Sequence, residues 1–118
     1  PAGSPELAEF FTPALVIDLD VVDANVAALI GRIGQARWRP HIKTIKQARL
    51  LECLVSAGVR HFKCATLPEL ALIRDVMEHT RLPAHVLLAF PFAVEPARAA
   101  VNLVRRTNLS LTLLADDA

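Results

Sequence analysis

Arg39, His41 and Lys43 stand at alternate positions of the stretch RPHIKT. In an extended strand residues two apart share a face, so three basic side chains are expected to point the same way. A lysine walled by apolar side chains and flanked by other cations holds its proton less firmly than one in water. The neutral amine attacks carbonyls, and with an aldehyde it forms a Schiff base. Lys43 is therefore the candidate nucleophile. The plainer reading is a solvated lysine on a sheet edge.

Other reactive groups fall where strands are expected to end: Asp18 and Asp20, Thr44, Cys64 and Thr66, Phe90 and Phe92, Asp116 and Asp117. Most have a simpler use. Asp20 and Thr66 suit helix N-caps, and Cys64 suits a small buried hydrophobe. His41 on its own reads as a hydrogen-bonded structural histidine. His61, His79 and His85 share no ligand-like spacing, so the segment shows no metal site. No glycine-rich phosphate loop is present, because Gly31 and Gly34 belong to the end of a helix.

The elements that must position these groups alternate. Ala14 to Leu19 is predicted as a first strand, and Asp20 as the cap of a helix with Val22, Val26, Leu29, Ile30 and Ile33 inward. Trp38 to Thr44 is predicted as the second strand, followed by a helix burying Leu50, Leu51, Leu54 and Val55 and ending at Ala57-Gly58. His61 to Ala65 is the third, and Thr66-Leu67-Pro68-Glu69 then gives a capping box ahead of the stripe Leu70, Ile73, Val76 and Met77. Ala84 to Phe90 is the fourth. Pro96 is expected to open the next helix, burying Ala97, Ala100, Val101 and Val104, and Leu109 to Ala115 is the fifth strand.

The expected strand starts, 14, 38, 61, 84 and 109, lie 24, 23, 23 and 25 residues apart. Strand and helix alternating at so short a period imply an α/β fold with a parallel sheet. A small doubly wound sheet and the opening of a (β/α)8 barrel both satisfy this. The chain closes on Asp116-Asp117-Ala118 with no helix to cover the last strand, so the expectation is a piece of a longer barrel.

Composition narrows the functional classes. The chain has 118 residues, 53% hydrophobic and 21% charged, which suffices for one domain with a real core. A formal net charge of +1 with 5% aromatic residues argues against a nucleic-acid or acidic-membrane surface. No apolar run is long enough to span a membrane, and PAGSPELAEFF lacks the plan of a signal peptide. Cys53 and Cys64 read as reduced thiols of a cytoplasmic protein.

Three stretches, TPALVIDLDVVDANVAAL (Thr12 to Leu29), RPHIKTIKQARLL (Arg39 to Leu51) and HFKCATLPELALI (His61 to Ile73), resemble the start of the alanine-racemase-type barrel domain. The resemblance is to its D-threonine aldolase and D-serine dehydratase branch. That family opens with TPxLxxDLD and an asparagine-bearing helix, here Asn25, then carries RPHxKTxK at strand two and CATxxE after strand three. The likeness extends through VLLAFP and LLADD to the end of the chain.

It implies that residues 1–118 are a partial pyridoxal 5′-phosphate-binding domain, about five βα units of a TIM barrel, with the rest of the barrel and a second domain outside it. Lys43 is then the cofactor-bearing lysine, with His41 and Thr66 beside the cofactor and Lys46 outside the pocket. The implied activity is a lyase acting on β-hydroxy D-amino acids, either an aldolase, in which Cα–Cβ breaks after the β-hydroxyl loses its proton, or a dehydratase, in which the released Lys43 serves as the base at Cα. An amino-acid racemase of the same fold and a non-catalytic pyridoxal-phosphate homeostasis protein are the alternatives. The likeness further implies a homodimer and a divalent metal whose ligands lie outside this segment. The phosphate loop lies outside it too, so the 118 residues alone are expected to be inactive. Ile45 stands where many members have a histidine, which points to a divergent subfamily.

Overall fold

The computed structural model describes residues 13–115. The candidates Asp116 and Asp117 lie outside that range. Three parallel strands form the sheet: β1 (His61–Cys64), β2 (Ala84–Leu88) and β3 (Leu109–Leu113), in the order β1-β2-β3. Register sets His61 beside His85 and Lys63 beside Leu87, then His85 beside Ser110 and Leu87 beside Thr112. Four helices accompany the strands: α1 (Leu19–Ile33), α2 (Ala48–Ser56), α3 (Leu67–Thr80) and α4 (Val94–Val104).

Alternation along the strands gives the sheet two unlike faces. Phe62, Cys64, Ala84, Val86 and Leu88 are buried, and they share one core with Leu51, Leu54 and Val55 of α2, Leu70, Ile73, Val76 and Met77 of α3, and Ala100 of α4. The alternate residues His61, Lys63, His85 and Leu87 are only half-buried, and Ser110 and Thr112 are exposed. One face is thus packed by helices and the other carries polar groups.

Caps fix the helix starts. Thr66 accepts a hydrogen bond from the Glu69 amide at 3.3 Å, as the capping box requires. The Glu69 carboxylate reaches one residue further back than the motif predicts and accepts from the Ala65 amide at 2.8 Å. Removing the hydroxyl in Thr66→Ala is expected to cost about 1 kcal/mol, read as a lower urea midpoint with an unchanged slope.

The predicted outer strands differ. Ala14 to Asp18 forms no strand, and Leu15 and Val16 are 82% and 63% exposed. A parallel strand needs cover on both faces, and in this segment only Ile17 is half-buried. Helix α1 starts at Leu19 rather than after Asp20, because Asp18 is the cap and accepts from the amides of Asp20 and Val21 at 3.0 and 3.2 Å. The second predicted strand, Trp38 to Thr44, shrinks to an isolated parallel bridge between His41 and Lys63. Pro40 has no N–H to give, so it contributes only its carbonyl, which accepts from the Lys63 amide at 2.9 Å.

Strands four and five end at Leu88 and Leu113, two residues short of the predicted bounds. Helix α4 begins at Val94, ahead of Pro96, and of its predicted inward residues only Ala100 is buried. Val101 is 49% exposed. Gly34 and Gly58 do end α1 and α2, at φ of 79° and 92° that a β-carbon disfavours.

Candidate functional site

Lys43 lies two residues beyond the bridge that sets His41 against Lys63, at the carboxyl end of the strands. There the chain leaves the extended conformation and Ile42–Thr44 makes one 3-10 turn. His41 caps that turn: its Nδ1 accepts from the Lys43 amide at 3.2 Å. Ile42 is fully buried and anchors the turn, while Lys43 is exposed. The shielding by apolar walls expected for Lys43 is therefore absent among the described residues, because the turn swings it out of the strand's alternation.

Thr66 stands at the N-terminus of α3, just after β1, and its hydroxyl accepts the cap hydrogen bond. It lines an open hollow of about 570 Å³ together with Lys46, Pro68, Glu69 and Leu72. Lys46, not Lys43, borders this hollow, held there by a left-handed φ of 45° that closes the 3-10 turn. A second apolar hollow of about 510 Å³ runs from Thr66 and Pro68 to Phe90, Phe92 and Pro96. Thr66 joins the two hollows.

Glu69 is the one buried charged residue among the described ones, 7% exposed, and its negative charge opposes the neighbouring cations at His41. Burial, then the charges of Lys43 and Lys63, nonetheless push the His41 pKa below 6.5. Cys64 is fully buried, and desolvation followed by the Glu69 charge raises its thiol to about 12. It is therefore a packed side chain and not a nucleophile at neutral pH.

The helix-free face holds residues that strand-end reasoning passed over. Arg39 Nη1 lies 2.8 Å from His85 Nδ1, and His85 Nε2 lies 2.8 Å from Thr112 Oγ1. A guanidinium only donates, so Nδ1 must accept and the proton sits on Nε2, which donates to the threonine. Burial, Arg39 and His61 together lower the His85 pKa, and the two imidazoles stand 6.1 Å apart in an edge-to-face arrangement. The signal was present in the sequence: His61 and Lys63 alternate, and one βα period sets His85 beside His61.

Both depressed histidines bear on stability. The folded state takes up their protons less readily than the unfolded chain, so stability holds above pH 6.5 and falls as the pH drops through their lowered pKa values. Urea midpoints are expected to decline from pH 7.5 to pH 5, and less steeply in the His41→Gln, His85→Gln double variant.

Among the described residues no three His, Cys, Asp or Glu side chains are grouped to hold a metal ion. No described helix is long and apolar enough to cross a membrane. No protein family, curated protein or solved structure matches the chain.

Proposed function

We propose that the chain supplies the lysine-bearing part of a pyridoxal 5′-phosphate-dependent lyase acting on β-hydroxy D-amino acids, built on the opening units of a (β/α)8 barrel. The observation that carries this reading is the place of Lys43, in the turn two residues past the His41–Lys63 bridge, at the carboxyl end of a parallel array. Chemistry in parallel α/β folds gathers at that end. The barrel is supported by the sheet's two faces: helices on one, and on the other the half-buried polar rows that a closed barrel would turn inward.

The residues present fit an anionic cofactor in charge. Arg39, His41, Lys43, His61, Lys63 and His85 all lie on or just beyond the helix-free face, where the described strand positions carry no carboxylate. When bound, pyridoxal phosphate supplies an aldehyde and a ring that draws electron density from the substrate's Cα. Lys43 presents the amine; in a dehydratase it is, once free, the group placed to take the Cα proton, whereas in an aldolase the proton leaves the β-hydroxyl as Cα–Cβ breaks. His41 fixes the turn that carries Lys43, and Thr66 lines the hollow that Lys46 borders.

The test is made on the full-length protein loaded with pyridoxal phosphate. Cleavage of D-threonine to glycine and acetaldehyde, or conversion of D-serine to pyruvate and ammonia, is the expected result. Racemisation without either, or cofactor binding without turnover, would overturn the lyase reading.

A further inference from the structure

We infer that the helix-free face of the sheet is a binding site for a small oxyanion, formed by Arg39, His61, Lys63 and His85. The site deepens the lyase reading, whose anionic cofactor meets this same face, and rests on that reading for its place in the reaction, but it depends on neither Lys43 nor an aldehyde.

Register gathers the four groups. Lys63 is paired with His41 on one side, and His61 is paired with His85 on the other. With strands about 4.8 Å apart and two residues spanning about 7 Å, the basic side chains fall within a patch about 10 Å wide. Charge on this patch is not answered from within. Among the described residues the ion pairs are Arg49–Glu52, Arg74–Asp75 and Arg98–Glu95, all on helices. The described carboxylates sit on α1 to α4 or at the Asp18 cap, and the one that acts on this region, Glu69, acts on His41.

Arg39 is also oriented in a way that leaves it available. Its partner is a neutral imidazole, so a donor is used and the positive charge is not compensated. The fork keeps further N–H groups for a ligand, and guanidinium geometry matches carboxylate and phosphate oxygens. Ser110 and Thr112 add hydroxyls at the margin of the patch. A metal ion suits the place poorly, since Arg39 and Lys63 interleave the imidazoles and no three-ligand group exists among the described residues.

An anion seated here reverses the sign of the field at the rings. Arg39 and His61 disfavour a proton on His85, and Lys43 and Lys63 disfavour one on His41, with Glu69 opposing them. A bound anion favours both protons, so binding is expected to take up protons and to tighten as the pH falls.

Sulfate is the probe for a tetrahedral oxyanion and acetate for a carboxylate, since each keeps its charge between pH 6 and 8. The imidazole nitrogens of the isotope-labelled protein are followed by NMR during titration. Saturable shifts at His61 and His85, tighter at pH 6 than at pH 8 by about threefold or more, are expected. The probe that saturates at lower concentration identifies the oxyanion class. The response should persist in Lys43→Ala, which separates it from the cofactor reading, and should be lost in Arg39→Gln, Lys63→Gln with the backbone spectrum intact. Rings that do not respond to either probe, or a response that survives the double substitution, would overturn the inference.

Discussion

Lys43→Ala is expected to reduce lyase turnover in the full-length protein by a thousandfold or more, with the fold unchanged. The amine holds the aldehyde in the proposed reaction and, in a dehydratase, also takes the Cα proton, and alanine does neither. A thousandfold corresponds to about 4 kcal/mol of transition-state stabilisation. The side chain is exposed, at the end of a one-turn element, so its removal leaves no cavity and the urea midpoint should stay put. Lys46→Ala is the control three residues on. It removes a charge from the rim of the α3 hollow and should leave turnover within a few fold. Equal losses in the two variants would contradict the assignment to Lys43.

Phe62→Ala carries the largest expected effect on stability. Phe62 is fully buried in the middle of the packed face, paired with Val86 on β2. Truncating a buried phenylalanine costs about 3–5 kcal/mol through lost transfer energy and an unfilled cavity. A domain this size holds about 5–15 kcal/mol in all, so the variant should lose a large share of its stability and unfold at a much lower urea midpoint. His61→Ala, next in sequence but on the other face and half-buried, should change stability by less than about 1 kcal/mol. Urea denaturation of the pair reads the two-faced sheet directly. A loss at His61 as large as that at Phe62 would contradict it.

The inner strands were legible because each is a short apolar run between helical periods, and β1, β2 and β3 fall within it. The core stripe Leu70, Ile73, Val76 and Met77 was legible for the same reason, as was the Thr66 cap. Ala14 to Leu19 has the same apolar look and forms no strand, since local composition cannot report whether a neighbour exists to pair with. At Trp38 to Thr44 the alternation of basic residues outweighed Pro40, whose missing donor limits pairing, and the capping ability of His41, which turns the chain at Ile42. That turn is why Lys43 leaves the face it was predicted to share. The Arg39–His85–Thr112 chain was not legible from any one stretch, since its members lie 46 and 27 residues apart and meet only through parallel register. Spacing along the chain does not connect the histidines; spacing across the strands does.

Everything proposed for the reaction depends on which amine takes the cofactor. The most direct measurement is to load the full-length protein with pyridoxal phosphate, fix the adduct with borohydride, digest it and locate the modified lysine by mass spectrometry. Stoichiometric label on Lys43 is the predicted result. Label on Lys46 or Lys63, or no stable adduct at any lysine, would contradict the account.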